Sequence, residues 1–210
     1  TLCTYAASKL AAAKHVFVVG DFNNWQISEE YQLKQDGNYF WIELTGLTPQ
    51  KEYAMQYVVV RSDGVVKRIS DLFSEKVVHS DDQWEPMTVD PTLMPYPQEA
   101  DGYATVIQTG KPAFQWSDAT LNFKRPNKNN LVIYELWVYD HTQFRSIEGL
   151  MDRLQYFEDM GVNAIELMPV TEFDGNENWG YSPNHYFALD KAYGTPEQMK
   201  TFVDECHKRG

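Results

Sequence analysis

The sequence is poor in cysteine, in positive charge and in long apolar runs, and each shortage excludes something. Cys3 and Cys206 are the only cysteines in 210 residues. They form neither a CxxC pair nor a metal-ligand spacing, so no disulfide framework is expected and the compartment is not fixed by redox chemistry. Lys and Arg number 18 against 30 Asp and Glu, a formal net charge of −12. That balance argues against a nucleic-acid partner, whose phosphates need basic side chains, and against an anionic membrane surface. No apolar run approaches the roughly 20 residues of a membrane-spanning helix. No repeat, low-complexity tract or leader is visible, which leaves the cytoplasm open, or the periplasm or exterior if a leader has been removed. The five histidines show no ligand spacing, so neither a metal nor a cofactor is expected.

What the chain has in quantity is flat apolar surface. Aromatics make up 14% of residues, with 6 Trp and 13 Tyr. Such rings either fill β-rich cores or take the C–H faces of a neutral polyol. Acidity does not exclude a neutral sugar chain.

From His15 the pattern is β. Val16–Gly20 reads as a strand, Asp21–Trp25 as a turn-rich loop, and Tyr39–Leu44 as an alternating strand entered through the Asp36-Gly37-Asn38 turn. Tyr53–Arg61 and Val65–Ile69 follow, joined by Ser62-Asp63-Gly64, and Gly102–Thr109 holds one more strand. Short strands at this spacing predict a β-sandwich over residues 1–110. The opening Ala-rich stretch fits a strand lead-in or a short helix. Pro86, Pro91, Pro95 and Pro97 exclude a central strand from 80–97. Residues 111–130 read as an extended polar linker.

Residues 131–210 change period. Leu131–Tyr139 is a β-branched and aromatic run. Ile147, Leu150, Met151, Leu154, Phe157 and Met160 then mark a helix over 146–160, with Ser146 at its N-cap and Gly161 at its C-cap. Ala164–Met168 is a second strand, stopped by Pro169. Two strands joined by a helix make a parallel βαβ unit. Its working face lies at the carboxyl ends of the strands, near Asp140-His141 and the aromatic loop from Pro169 to Tyr186. Thr195, Pro196 and Gln198 open a further helix with an inner stripe of Met199, Phe202, Val203 and Cys206.

These residues carry a resemblance. Ile133-Tyr134-Glu135-Leu136, Gly161–Val170, Asn178-Trp179-Gly180-Tyr181-Ser182-Pro183 and Tyr193–Glu197 look like the opening of the catalytic barrel of the alpha-amylase superfamily, glycoside hydrolase family 13. Val18–Trp25, Asp36-Gly37, Trp41, Leu44, Tyr53 and Tyr57 resemble the immunoglobulin-like N-terminal domain of branching and debranching enzymes, carbohydrate-binding module family 48. The resemblance implies a multidomain chain: an all-β sandwich followed by the first two βα units of an incomplete (β/α)8 barrel. It implies a parent enzyme that cleaves or transfers α-glucosidic bonds in starch or glycogen with retention, its catalytic Asp, Glu and Asp lying on later strands. The segment alone would then be inactive.

By that resemblance Tyr181 stacks on a sugar ring beside the cleaved bond, flanked by Trp179 and Asn178, with His141 reaching a hydroxyl. Trp25 and Trp41 are weaker glycan-binding candidates, packing being the commoner fate of such residues. A branching transferase, or a non-catalytic glycan-binding module, are the alternatives. Calcium is common in the family, but its ligands mostly fall beyond these residues. Glu135 and Glu166 sit mid-strand and are expected to be hydrogen-bonded carboxylates of a barrel interior rather than a catalytic pair. An unfinished barrel also leaves open strand edges, through which two copies would associate.

Overall fold

The computed structural model describes residues 1–6, 12–83, 90–175 and 177–210. The chain divides into two compact units, one of residues 1–83 and 94–111, the other of residues 84–93 and 112–210. Residues 7–11 of the opening Ala-rich stretch, and Pro86, lie outside the described residues.

The first unit is a sandwich of two antiparallel sheets. One holds β1 (Leu2–Tyr5), β4 (Tyr39–Ile42) and β3 (Lys34–Asp36) in that order. The other is built on β5 (Glu52–Arg61), which pairs along one edge with β2 (Ala13–Gly20). Its other edge is shared by β6 (Val66–Ile69) and β8 (Ala104–Gln108), and β8 also takes the short β7 (Val77–Val78). Alternation decides which side chains face inward. Met55, Tyr57 and Val59 of β5 meet Val16 and Val18 of β2, and Phe40 and Ile42 of β4 close the core from the opposite sheet. Gly37, at φ 58°, turns β3 into β4, and Gly64, at φ 83°, turns β5 into β6, the two hairpins expected from the Asp-Gly pairs.

The second unit opens with α1 (Asp118–Leu121) and then β9 (Ile133–Leu136). Residues 112–130 are not a bare linker. Ser117 donates from its backbone N–H and hydroxyl to the Asp204 carboxylate at 3.0 and 2.8 Å, and the Thr120 hydroxyl donates at 2.6 Å. These bonds reach across more than 80 residues, which no local pattern reveals. β9 also ends earlier than its composition suggests. Leu136 closes it, and a single helical turn, α2 (Val138–His141), follows.

The amphipathic stretch beyond forms α3 (Ile147–Met151) and α4 (Leu154–Asp159) rather than one uniform helix. Between them Arg153 N–H bonds the Leu150 carbonyl at 2.9 Å, a tighter 3₁₀ step. The Ser146 hydroxyl caps α3 by accepting from Gly149 N–H, and Gly161 at φ 74° ends α4. β10 (Ala164–Leu167) pairs in parallel with β9, Ile165 opposite Tyr134 and Leu167 opposite Leu136. Neither outer edge of this pair is joined to another strand among the described residues.

The aromatic loop is partly a sheet: β11 (Thr171–Phe173) and β12 (Pro183–Leu189) pair antiparallel, with register shifts at Glu172. α5 (Pro196–Lys208) closes the chain, and both halves of its capping box form, at 3.1 and 2.8 Å between Thr195 and Gln198. Leu136, Ile147, Leu150, Phe157, Tyr193 and Phe202 belong to one core.

Candidate functional site

The parallel pair sorts its residues by face. Tyr134, Leu136, Ile165 and Leu167 belong to the core under the helices. On the other face Glu135 and Glu166 stand directly opposite one another, and both are exposed. Among the described residues no further strand joins this pair, which leaves that face of the two strands open.

Beyond the carboxyl end of β9 an aromatic cluster assembles. The Trp137 indole N–H donates to the Asn178 carbonyl and to the Tyr193 hydroxyl, each at 3.0 Å. Trp137 stacks on Tyr139 at 4.8 Å between centroids and meets Trp179 edge-on at 6.5 Å. Tyr193 is fully buried against Phe173, and that burial pushes its hydroxyl up to about 12. Arg145 donates to the Tyr139 hydroxyl, and its guanidinium carbon lies 4.2 Å from the ring centroid. Burial and a hydrogen bond with Glu177 raise the Tyr139 hydroxyl's pKa. Trp137, Tyr139 and Arg145 were not singled out from sequence. Their position just past the end of a strand in a parallel pair was the available signal.

The loop that carries the predicted residues is locked by one glycine. Gly180 has φ 86°, and a Cβ placed there would lie 2.2 Å from the Pro169 carbonyl oxygen. Only glycine lets the loop sit against the residue that stops β10. The Asn178 side-chain carbonyl accepts from Gly180 N–H at 2.9 Å, closing the turn. Asn178 thus positions the loop through its backbone and side-chain oxygens. Trp179 and Tyr181 are 63% and 64% exposed, and Tyr186 and Phe187 on β12 are exposed as well. Trp179 and Tyr181 thus leave two rings exposed on a loop of fixed shape.

His141 does not join them. Its ring stacks on Phe157 at 5.2 Å and meets Tyr134 edge-on at 5.6 Å, packed as a phenylalanine would be. Burial, and then the nearby Arg153 charge, lower its pKa. In the first unit Trp25 is 7% exposed, at φ 59°, with its indole N–H donating to Asp21 at 3.0 Å. Its ring has no face left for a sugar. Trp41 is half-buried with the Lys34 ammonium 4.9 Å from its ring centroid.

Behind the aromatic loop lies a set of buried charges. Glu172, 1% exposed, pairs with Lys191, and Asp190 accepts from Phe173 N–H at 3.1 Å and Ala192 N–H at 2.8 Å. Among the described residues no group of three or more His, Cys, Asp or Glu is placed to hold a metal ion, and no helix is long and apolar enough to cross a membrane.

Comparison with known proteins bears on both units. Residues 119–210 match the family model "Alpha amylase, catalytic domain", and residues 8–74 match "Carbohydrate-binding module 48 (Isoamylase N-terminal domain)". A malto-oligosyltrehalose trehalohydrolase of Saccharolobus solfataricus is 33% identical over 154 residues, 73% of this chain and 25% of that protein. A 1,4-alpha-glucan branching enzyme of Xanthomonas oryzae is 29% identical over 215 residues, 94% of this chain and 25% of that protein. The fold matches the GBS pullulanase SAP, crystallised in complex with maltotetraose, with a TM-score of 0.70 at 21% identity, covering 99% of this chain and 30% of that one. The chain spans about a quarter of the length of the curated relatives it matches.

Proposed function

The chain belongs to the alpha-amylase superfamily, with a carbohydrate-binding-module-48 domain ahead of the start of an alpha-amylase catalytic domain, and we propose that the protein acts on α-glucans, cleaving α-glucosidic bonds with retention. Within it, Tyr181 and Trp179 offer their open faces to a glucosyl ring, and Asn178 holds the loop that presents them. The observation that carries the reading is the Gly180 contact with Pro169. It fixes two exposed aromatics at the carboxyl end of a parallel strand, where sites of this architecture gather. Retaining chemistry needs two carboxyl groups about 5 Å apart across the scissile bond. We assign that pair to residues outside positions 1–210. Glu135 and Glu166 precede the strand ends and face solvent, apart from the ring surface that would seat the sugar. On this reading the segment binds glucan and does not turn it over.

Affinity electrophoresis in amylopectin tests the proposal. Retardation of the native chain, weakened by Tyr181→Ala and by Trp179→Ala, is the expected result. Retardation that survives both and disappears in Trp41→Ala moves glucan recognition to the sandwich and overturns the assignment. Catalytic turnover of a maltooligosaccharide by this chain alone overturns the placement of the carboxylates.

A further inference from the structure

Arg145 stands at φ 51°, the only non-glycine residue with a positive φ among the described residues of the second unit. A side chain larger than glycine's is strained in that left-handed region, and strain of this kind persists where the surrounding structure over-determines it, most often at sites that act. The local turn does not call for an arginine. Arg145 N–H bonds the Thr142 carbonyl at 3.0 Å, just ahead of the Ser146 N-cap of α3, and glycine would make the same turn without strain. What the position secures is a side chain.

That side chain goes to one ring. The guanidinium carbon lies 4.2 Å from the Tyr139 ring centroid, and Nη1 donates to the Tyr139 hydroxyl. With Arg145 on a lone pair of its oxygen, that hydroxyl keeps its own hydrogen for the Glu177 carboxylate, a bond that helps burial to raise its pKa. The same ring stacks on Trp137 at 4.8 Å with 24° between planes. Trp137 Nε1 donates to the Asn178 carbonyl at 3.0 Å, and the Asn178 side chain accepts from Gly180 N–H at 2.9 Å. Tyr139 therefore reaches the aromatic loop twice, through its hydroxyl to Glu177 and through Trp137 to Asn178. Those are the two residues immediately ahead of Trp179.

We propose that Arg145 is a positioning residue for the aromatic loop. Its left-handed backbone sets the guanidinium on Tyr139, and Tyr139, fixed in this way, sets where the segment from Glu177 to Tyr181 stands. That the loop binds a sugar rests on the function proposed above; the positioning itself does not.

Arg145→Gly separates the side chain from the turn, because glycine takes φ 51° freely. Amide hydrogen exchange of the ¹⁵N-labelled chain, read residue by residue by NMR, reports the loop at Gly180 N–H without any ligand. The expected result is exchange at Gly180 about tenfold faster, on the order of one lost hydrogen bond in the local opening equilibrium. Amides inside α5 keep their native rates, and the urea midpoint does not fall. Arg145→Lys keeps the charge but not the planar fork, and it leaves Gly180 faster than in the native chain. Unchanged exchange at Gly180 in Arg145→Gly overturns the proposal. Faster exchange at Gly180 and α5 alike, with a lower urea midpoint, makes Arg145 a general stabiliser and overturns it as well. Retardation in amylopectin is then read on the same variants. A native chain that is retarded, and less so as Arg145→Gly, supports both readings. A native chain that is not retarded, with Gly180 still responding to Arg145→Gly, removes the sugar-binding function and leaves the positioning role standing.

Discussion

The core of the first unit and the aromatic loop of the second spend the same residue type in opposite ways. In the first, Trp25 and Tyr57 are 7% and 0% exposed, and each polar handle is held by a carboxylate: Trp25 Nε1 by Asp21 at 3.0 Å, Tyr57 Oη by Asp71 at 3.1 Å. In the second, Trp179 and Tyr181 are more than three-fifths exposed. Trp137, half-buried, and Tyr193, buried, are tied to each other and to the Asn178 carbonyl behind the loop. An aromatic whose N–H or O–H is bonded inside its own unit is architecture. One whose ring face is open, on a loop with a glycine-enforced shape, is a binding surface. The comparison makes opposite predictions for chemically similar truncations.

The largest effect is expected in the sandwich. Tyr57→Ala empties the centre of the core shared by β2, β4 and β5 and removes the Tyr57 donor from Asp71 Oδ2. A loss of about 3–5 kcal/mol follows from such truncations. Urea unfolding followed by circular dichroism measures it, and a loss below about 1 kcal/mol would break the assignment of Tyr57 to architecture.

The second unit has its own buried point of failure, made of charge rather than ring. Glu172→Ala removes a carboxylate from beside the Lys191 ammonium, whose side chain is 8% exposed. Breaking a buried pair from one side costs about 3–5 kcal/mol, whereas replacing both partners by apolar residues costs far less. Glu172→Met with Lys191→Met should therefore unfold at higher urea than Glu172→Ala alone. The reverse order would mean that the pair is not what holds β11 and β12 behind the loop.

This contrast also marks what the sequence makes legible. The parallel β9–β10 pair, the Gly37 and Gly64 hairpins and the Thr195 capping box follow from period and turn chemistry, which act over a few residues. Asn178, Trp179 and Tyr181 were picked out by their resemblance to the family's Trp-Gly-Tyr block, and they occupy the loop after β10. The β11–β12 sheet was not legible, because β11 has three residues and its register shifts twice. Trp137, the residue after β9, finds its indole partners 41 and 56 residues away. Trp25 and Trp179 look alike as letters. What separates them is Asp21 on one side and Pro169 beneath Gly180 on the other, contacts set by the finished fold.

A smaller, pH-dependent effect sharpens the comparison within the second unit. Hydrogen bonds from Thr120, Ser117 and Lys208 hold the Asp204 carboxyl well below the usual carboxylate range, against the opposing effect of burial. A folded pKa below the unfolded one means that the stabilisation is fully present above about pH 4 and is lost as pH falls further. Asp204→Asn should lower the melting temperature at neutral pH, and the gap from the native chain should narrow on acidification below about pH 4. A constant gap across that range would show that Asp204 acts by packing alone and not through its charge.

The smallest expected change in stability belongs to Tyr181, and it is the most exacting test of the contrast. The ring is 64% exposed, and no hydrogen bond or ring contact to it is among those that build the cluster. Surface truncations of this kind stay within about 0.5 kcal/mol. Tyr181→Ala should therefore leave the urea midpoint of the chain where it was while weakening its retardation in amylopectin. Gly180→Ala separates position from identity: it keeps Tyr181 but forces the loop off the Pro169 carbonyl, and it should weaken retardation too, with a measurable loss of stability. If Tyr181→Ala destabilised the chain as Tyr57→Ala does, its exposed ring would belong to the architecture after all, and the division between enclosed and open aromatics would fail where it matters most.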